Sequence, residues 1–241
     1  MKKIICAIFL LISFTYINSC KEGKITVEDR LAAKLTEIEN TVQNYKLSQE
    51  ALYDPFEDIN VEFILSLHEI NNKVDFEFFY ESIDSIISKV NQNVLKSGLV
   101  LSYDGERTLT ITEELIFKSY INTSKSNLLN DKIEIAEYYI GELQKMNSFP
   151  KESIDYCLLT ISLHKNLMIH FNIDENIENK SAKLNSNLAW TPCASRGCFD
   201  CCMFRKSQAM DDWNWVEWAF FLAKPHIEVA RMAGSCGWDC I

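Results

Sequence analysis

Apolar positions recur at steps of three and four along most of the chain, which is the spacing of one face of an α-helix. The first such stretch begins at Thr26, and Asp29 stands three residues later with the spacing of a capping box. Apolar stripes that predict helices run over residues 27–45, 61–68, 76–94, 129–146 and 154–168. The pattern therefore predicts a predominantly helical protein.

One short stretch changes its period. Residues 99–103 and 107–111 are rich in β-branched and apolar residues and flank an Asp-Gly turn signal, which predicts a β-hairpin. A two-residue loop would pair Leu99 with Thr110, whereas a three-residue loop would pair Leu99 with Ile111 and keep the apolar groups on one face. We therefore favour the three-residue loop and predict an α+β fold class.

The first twenty residues have the features of an export signal. Lys2 and Lys3 precede an apolar run over residues 4–14, and a short segment of small and polar residues, 15–19, follows it. The apolar run is shorter than the roughly 20 residues that a membrane-spanning helix requires. We therefore predict that residues 1–19 are a cleaved signal peptide.

The segment Ile17-Asn18-Ser19-Cys20 resembles the lipobox of bacterial lipoproteins. The resemblance implies that Cys20 carries a thioether-linked diacylglycerol and an acylated amino group, so that acyl chains such as palmitate anchor the protein to a membrane of the cell envelope. Lys21 stands where an Asp would resemble an inner-membrane retention signal, which favours the outer membrane. The alternative is an ordinary secretory signal that leaves Cys20 as a plain thiol.

Composition limits the function classes. A net charge of −10, which becomes more negative once the signal is removed, argues against a nucleic-acid partner. Only 7 Gly and 4 Pro disfavour an all-β sandwich with its many tight turns. The predicted parts are a signal peptide over 1–19, a lipid-anchored tether over 20–25, a helical domain over 26–171 with a hairpin near 99–111, a linker or weak helix over 172–189 and a cysteine-rich C-terminal module over 190–241.

The cysteines are concentrated near the C-terminus. Of nine, Cys6 lies in the signal, Cys20 is the expected lipidation site and Cys157 occupies an apolar helical face. The remaining six are disulfide candidates, because an export compartment permits disulfide bonds in a small module. These candidates are Cys193, Cys198, Cys201, Cys202, Cys236 and Cys240. We expect Cys236 and Cys240 to bond back to the first cluster, while the full connectivity stays open.

Between these cysteine clusters lies an aromatic-rich segment, which we predict to be a helix over about residues 207–224. Its large rings include Trp213, Trp215, Trp218 and Phe221, more than one narrow stripe can bury. The rings could pack against the disulfides and the main domain. Alternatively, they could form an interaction surface that faces a partner or a membrane.

Two other uses of the clustered thiols are open. Cys198-Phe199-Asp200-Cys201 has the spacing of thiol oxidoreductases, although the sequence predicts no surrounding βαβ unit. Four cysteines together with His226 could also supply zinc ligands, although oxidising surroundings oppose this. We predict neither a metal nor a cofactor. The other histidines form no ligand pair, and His164 is expected to be a satisfied, partly buried side chain.

The sequence therefore favours a membrane-anchored envelope lipoprotein that binds an unknown protein or small-molecule ligand without catalysis. The alternative is a surface-displayed, toxin-like protein whose Trp- and Cys-rich module contacts a target membrane. A third class is an enzyme whose catalytic groups are dispersed along the chain. Converging carboxylates and histidines in a cleft would identify that class.

Overall fold

The computed structural model describes residues 25–44, 53–73, 79–96, 107–125, 129–171 and 197–240. Within these ranges all regular secondary structure is helical. Numbered in chain order, the helices are α1 (Val27–Gln43), α2 (Glu57–Lys73), α3 (Phe79–Lys96), α4 (Ile111–Ser124), α5 (Leu129–Gln144), α6 (Lys151–His170), α7 (Cys198–Ala209), α8 (Trp215–Ala223) and α9 (Pro225–Asp239), with a 3-10 turn over Met210–Asp212.

The start of α1 confirms the predicted capping box. The Thr26 hydroxyl accepts a hydrogen bond from the backbone N–H of Asp29, and the Asp29 carboxylate accepts one from the backbone N–H of Thr26. These bonds satisfy donors that a helix N-terminus leaves unpaired. The same apolar stripe that predicted α1 is buried at Leu31, Leu35 and Ile38.

Helix α6 forms the centre of the bundle. Every residue from Ser153 to Met168 is buried, because α2, α4, α5, α7 and α9 all pack against this helix. Its polar side chains are therefore buried as well; Lys165, for example, is paired with Asp54 at 2.8 Å. A buried charge requires such a partner. The helices predicted over 129–146 and 154–168 are confirmed as α5 and α6, which pack against each other.

The predicted α+β fold class is wrong for the described residues, which contain no strand. The first strand of the proposed hairpin lies outside them. In place of the second strand, residues 107–110 have no regular secondary structure and residue 111 begins α4. Thr110 caps α4, since its hydroxyl accepts from the Glu113 backbone N–H and the Glu113 carboxylate accepts from the Thr110 backbone N–H. Residues 111–124, for which the sequence predicted no helical stripe, form α4.

The C-terminal helices α7, α8 and α9 join the same hydrophobic core as the rest of the bundle. Helix α9 contacts α2, α3, α6, α7 and α8. The predicted continuous helix over 207–224 is interrupted, because Asn214 caps a new helix. Its side chain accepts hydrogen bonds from the backbone N–H groups of Val216 and Glu217, and the Glu217 carboxylate accepts from the Asn214 backbone N–H.

Several predictions fall outside the described residues. These are the signal peptide and lipobox with Cys6 and Cys20, the tether up to residue 24, the linker over 172–189, and Cys193. No helix in the described ranges combines the length and the apolar character that crossing a membrane would need.

Candidate functional site

The aromatic residues singled out in the sequence separate into buried and half-buried rings. Trp218 and Phe221 are buried, and Trp213 and Trp215 are partly exposed. Trp213, Trp218 and Phe221 form an edge-to-face cluster with ring centroids 5.5 to 6.0 Å apart. The cluster continues to His164, whose ring lies 5.6 Å from that of Trp218. The buried Trp218 and Phe221 rings therefore attach α8 to the bundle, and Trp213 packs against both of them.

A groove lies between the segment that leads into α4 and the outer face of α8. Its volume is about 790 Å³, within the range of small-ligand and peptide sites. We call it the α4–α8 groove. Its lining comprises Arg107, Thr108, Leu109, Glu114, Trp215, Val216, Ala219, Phe220, Ala223 and Lys224.

The most exposed apolar residues of this groove were not predicted from the sequence. Val216 is 62% exposed and Phe220 is 64% exposed. They are four residues apart and so share the face of α8 opposite to Trp218 and Leu222. The sequence does contain a signal for this face, because Val216 and Phe220 are an apolar pair at helical spacing outside the stripe that faces the core. However, the predicted helix ran without a break over 207–224, whereas α8 begins anew at Trp215, so the predicted faces of the helix were wrong.

Arg107 fixes one wall of the groove. Its guanidinium group donates to Glu113 at 2.8 Å and to Glu152 at 3.3 Å, and it lies 4.5 Å from the centroid of the Tyr156 ring. Its backbone N–H donates to the carbonyl of Ala223 at 2.8 Å. The charge of Arg107 is therefore engaged within the protein. Its main effect is to connect α4, α6 and the end of α8.

Trp215 forms the opposite wall. The Lys118 ammonium lies 4.6 Å from the centroid of its ring and 3.1 Å from the Glu114 carboxylate. A cation over an indole face is a favourable contact. The rim of the groove therefore carries both signs of charge. The apolar side chains of Val216 and Phe220 are the main surface that the groove offers to a ligand.

The buried histidines are held as neutral, hydrogen-bonded groups. Burial, with a smaller contribution from Lys132, lowers the pKa of His164 to about 4, and Nδ1 lies 2.7 Å from the Tyr120 hydroxyl. Burial lowers the pKa of His226 to about 3, and Nε2 lies 2.9 Å from the Asn60 side-chain oxygen. The expectation that His164 is a satisfied side chain is confirmed. Neither histidine lines the groove.

Cys157 is also a core residue, as its apolar helical position indicated. It is fully buried, and burial raises the pKa of its thiol well above the ordinary value. A thiol in such surroundings is rarely ionised and therefore is a poor nucleophile.

The prediction of disulfide bonds in the C-terminal segment is confirmed. Cys198 is bonded to Cys240, and Cys202 is bonded to Cys236, so that both bonds join α7 to the last part of the chain. Cys201 is also disulfide-bonded. Cys198 is the first residue of α7, but it does not pair with Cys201, so the C-x-x-C motif does not form a redox couple of its own.

The zinc alternative is not supported by the positions of its proposed ligands. Three of the four cysteines proposed as ligands, Cys198, Cys201 and Cys202, are disulfide-bonded. The ring of the fifth proposed ligand, His226, packs against Phe63 with ring centroids 4.8 Å apart. In the part of the chain that the structure describes, no group of three or more His, Cys, Asp or Glu residues is arranged to hold a metal ion.

Comparisons of the chain with protein-family models, with curated proteins and with solved structures find no match. Functional inference therefore depends on the chemistry of the groove itself.

Proposed function

We propose that the protein is a lipid-anchored component of the bacterial cell envelope that binds a protein partner through the α4–α8 groove. The observation that carries the proposal is the exposure of Val216 and Phe220 beside the half-buried Trp215. Exposed apolar side chains grouped around a concave surface are typical of an interaction site. Aromatic rings such as Trp215 contribute disproportionately to binding energy.

The charges at the rim favour an apolar polypeptide segment over an anionic ligand. Arg107 is engaged by Glu113 and Glu152, and Lys224 lies 3.8 Å from Glu228. Because each cation already has a carboxylate nearby, the groove offers no concentrated positive charge to a phosphate or nucleic acid. Apolar side chains of a partner would bury Val216 and Phe220 without displacing these pairs.

Hydrogen bonds connect the walls of the groove to the bundle, and a preformed site loses little conformational freedom on association. The Tyr156 hydroxyl donates to the Leu222 carbonyl at 2.6 Å and holds the end of α8 against α6. The Cys198–Cys240 and Cys202–Cys236 disulfide bonds join α7 to the region of α9, and α8 packs against α9.

Photo-crosslinking tests the proposed interaction surface. A crosslinking amino acid at position 220, in cells of the source organism, is expected to give one discrete protein adduct that mass spectrometry can identify. Val216→Glu should weaken binding of the purified partner by at least about tenfold, because a carboxylate at this exposed apolar position would lose its hydration when the partner covers it. The matched control is Leu95→Glu, since Leu95 is 57% exposed on α3 and does not line the groove.

The same exposed side chains favour a second candidate, in which α8 contacts a target membrane. This alternative is tested with non-acylated Cys20→Ala protein added to dye-loaded vesicles of neutral or anionic lipid. Dye release that Val216→Glu abolishes would support the membrane candidate and would contradict the partner proposal. The partner proposal would be supported if the vesicles release no dye and if a crosslinking amino acid gives a protein adduct at position 220 but not at position 95.

The lipid anchor has its own test. Intact-mass analysis of protein extracted from membranes is expected to show a chain that begins at Cys20 and carries acyl groups. Cys20→Ala should move the protein from the membrane fraction to the soluble fraction, because several acyl chains anchor stably whereas the acidic surface does not attract anionic lipid. An unmodified Cys20 thiol in the wild-type protein would contradict the anchor.

A further inference from the structure

A second, smaller cavity lies at the turn between α5 and α6, apart from the α4–α8 groove. Its volume is about 300 Å³, at the lower end of the range for small-molecule sites. Its apolar lining includes Leu143, Met146, Phe149, Ile154 and Leu158. Among these apolar side chains it also contains one buried carboxylate, that of Asp155.

The carboxylate of Asp155 is only 5% exposed and is bound by Lys151. The Lys151 ammonium lies 3.1 Å from one carboxylate oxygen and 2.9 Å from the other. One nitrogen therefore contacts both oxygens. A buried carboxylate needs a cation or several hydrogen bonds to offset the loss of water, and Lys151 supplies a cation at this position.

Lys151 is a weakly held occupant of this position. Its side chain is 61% exposed, so that its methylene groups do not fill the cavity. It is also the first residue of α6, where the helix dipole disfavours a positive charge. In addition, a Lys placed four residues before an acid is the less favourable orientation of an ion pair on a helix.

We propose that this cavity binds a primary ammonium group carried on an apolar stem, with the ligand ammonium replacing that of Lys151 on the Asp155 carboxylate. The stem would pack against Phe149 and Leu158 and bury apolar surface that Lys151 leaves open. A lysine side chain of a partner and a small arylalkylamine share this chemistry. The proposal is independent of the α4–α8 groove and of the lipid anchor.

The test uses benzylamine and its neutral analogue benzyl alcohol, with binding to the purified protein followed by calorimetry at pH 7. Lys151→Met removes the competing ammonium and keeps an apolar chain of similar length. We expect this variant to bind benzylamine about tenfold more tightly than the wild type does, a difference of about 1.4 kcal/mol. It should also bind benzylamine at least about tenfold more tightly than it binds benzyl alcohol, because only the amine forms a charge-assisted hydrogen bond.

A matched control is Lys145→Met. Lys145 is 63% exposed and pairs with Glu142 at 2.7 Å, but it does not line the cavity, so its loss should leave the affinity unchanged. Adding Asp155→Asn to Lys151→Met should remove the preference for the amine. If that double variant does not fold, the comparison of the two ligands in Lys151→Met decides alone. Equal affinity for both ligands, or no binding of either, would overturn the proposal.

Discussion

Removal of both Cys198–Cys240 and Cys202–Cys236 is expected to lower the free energy of unfolding by about 7 kcal/mol in the chain-entropy account of disulfide stabilisation. The two bonds are nested, with sequence separations of 42 and 34 residues. Removing either pair alone should cost only about 3 kcal/mol, because the remaining bond still closes the long loop and only a ring of roughly ten residues is released. The loss of both approaches the whole stability of a typical domain.

Urea unfolding of Cys198→Ala/Cys240→Ala, of Cys202→Ala/Cys236→Ala and of the fourfold variant measures these costs. A fourfold variant within about 1 kcal/mol of the wild type would show that the bonds do not constrain the unfolded chain. Stepwise reduction with alkylation gives an independent check. Cys198 is exposed and Cys236 is buried, so the outer pair should be alkylated first. The buried thiol of Cys157 should react only when the whole chain unfolds and therefore reports global unfolding.

Acidification from pH 6.5 to 5 is expected to lower the free energy of unfolding by about 3 kcal/mol through two histidines. Burial lowers the pKa of His164 to about 4 and that of His226 to about 3, from an ordinary value of 6.5. Between these values the unfolded chain binds protons that the folded chain does not. Their contribution is therefore fully present above pH 6.5 and is lost as the pH falls towards the folded-state pKa.

The surroundings of both rings explain why a proton is excluded. His164 is enclosed by Tyr120 and Trp218 and is repelled by Lys132 when it is protonated. His226 is enclosed by Asn60 and Phe63. Each position accommodates a neutral imidazole, whereas a protonated ring there would have to give up most of its hydration.

Urea unfolding followed by tryptophan fluorescence at pH 7, 6 and 5 measures the effect. His164→Gln and His226→Gln should each be less stable than the wild type at pH 7, but each should remove about half of the loss of stability between pH 6.5 and 5. Glu142, whose pKa the partners Lys145 and Lys34 lower against the opposing effect of burial, contributes mainly below its ordinary value of 4.5 and so lies outside this window. A double variant that keeps the wild-type pH dependence would rule out these histidines as its source.

Several features could be predicted from the sequence because they depend on local chemistry. The Thr26 capping box and the stripe of α1 follow from short-range hydrogen bonds and a 3.6-residue period. The C-terminal disulfides were predicted from six cysteines clustered near the C-terminus together with the predicted export signal. The burial of Cys157 and His164 follows from their positions on an apolar helical face.

The prediction of a β-hairpin over 99–111 was wrong because local composition alone did not decide the structure of its second strand. Residues 107–111 have strand-like composition, but β-propensity depends strongly on context. Thr110 can either occupy a strand or cap a helix. Glu113 is fully buried, with its carboxylate on both the Thr110 backbone N–H and Arg107, and this arrangement favours the cap. Arg107, which pairs with Glu113, lies over the ring of Tyr156 in α6, and α6 is distant in the sequence.

By itself the sequence determined the helical stripes, the cysteine module and the expectation of a lipid-anchored envelope protein, because each of these arises from neighbouring residues. Only the tertiary structure decided which aromatic rings of α8 are buried, how Cys198 and Cys202 are paired, and that Asp155 lies in a cavity beneath Lys151. These features arise where helices far apart in the chain pack around α6. A linear pattern shows which face of a helix is apolar, but the neighbours that cover that face are set by packing in three dimensions.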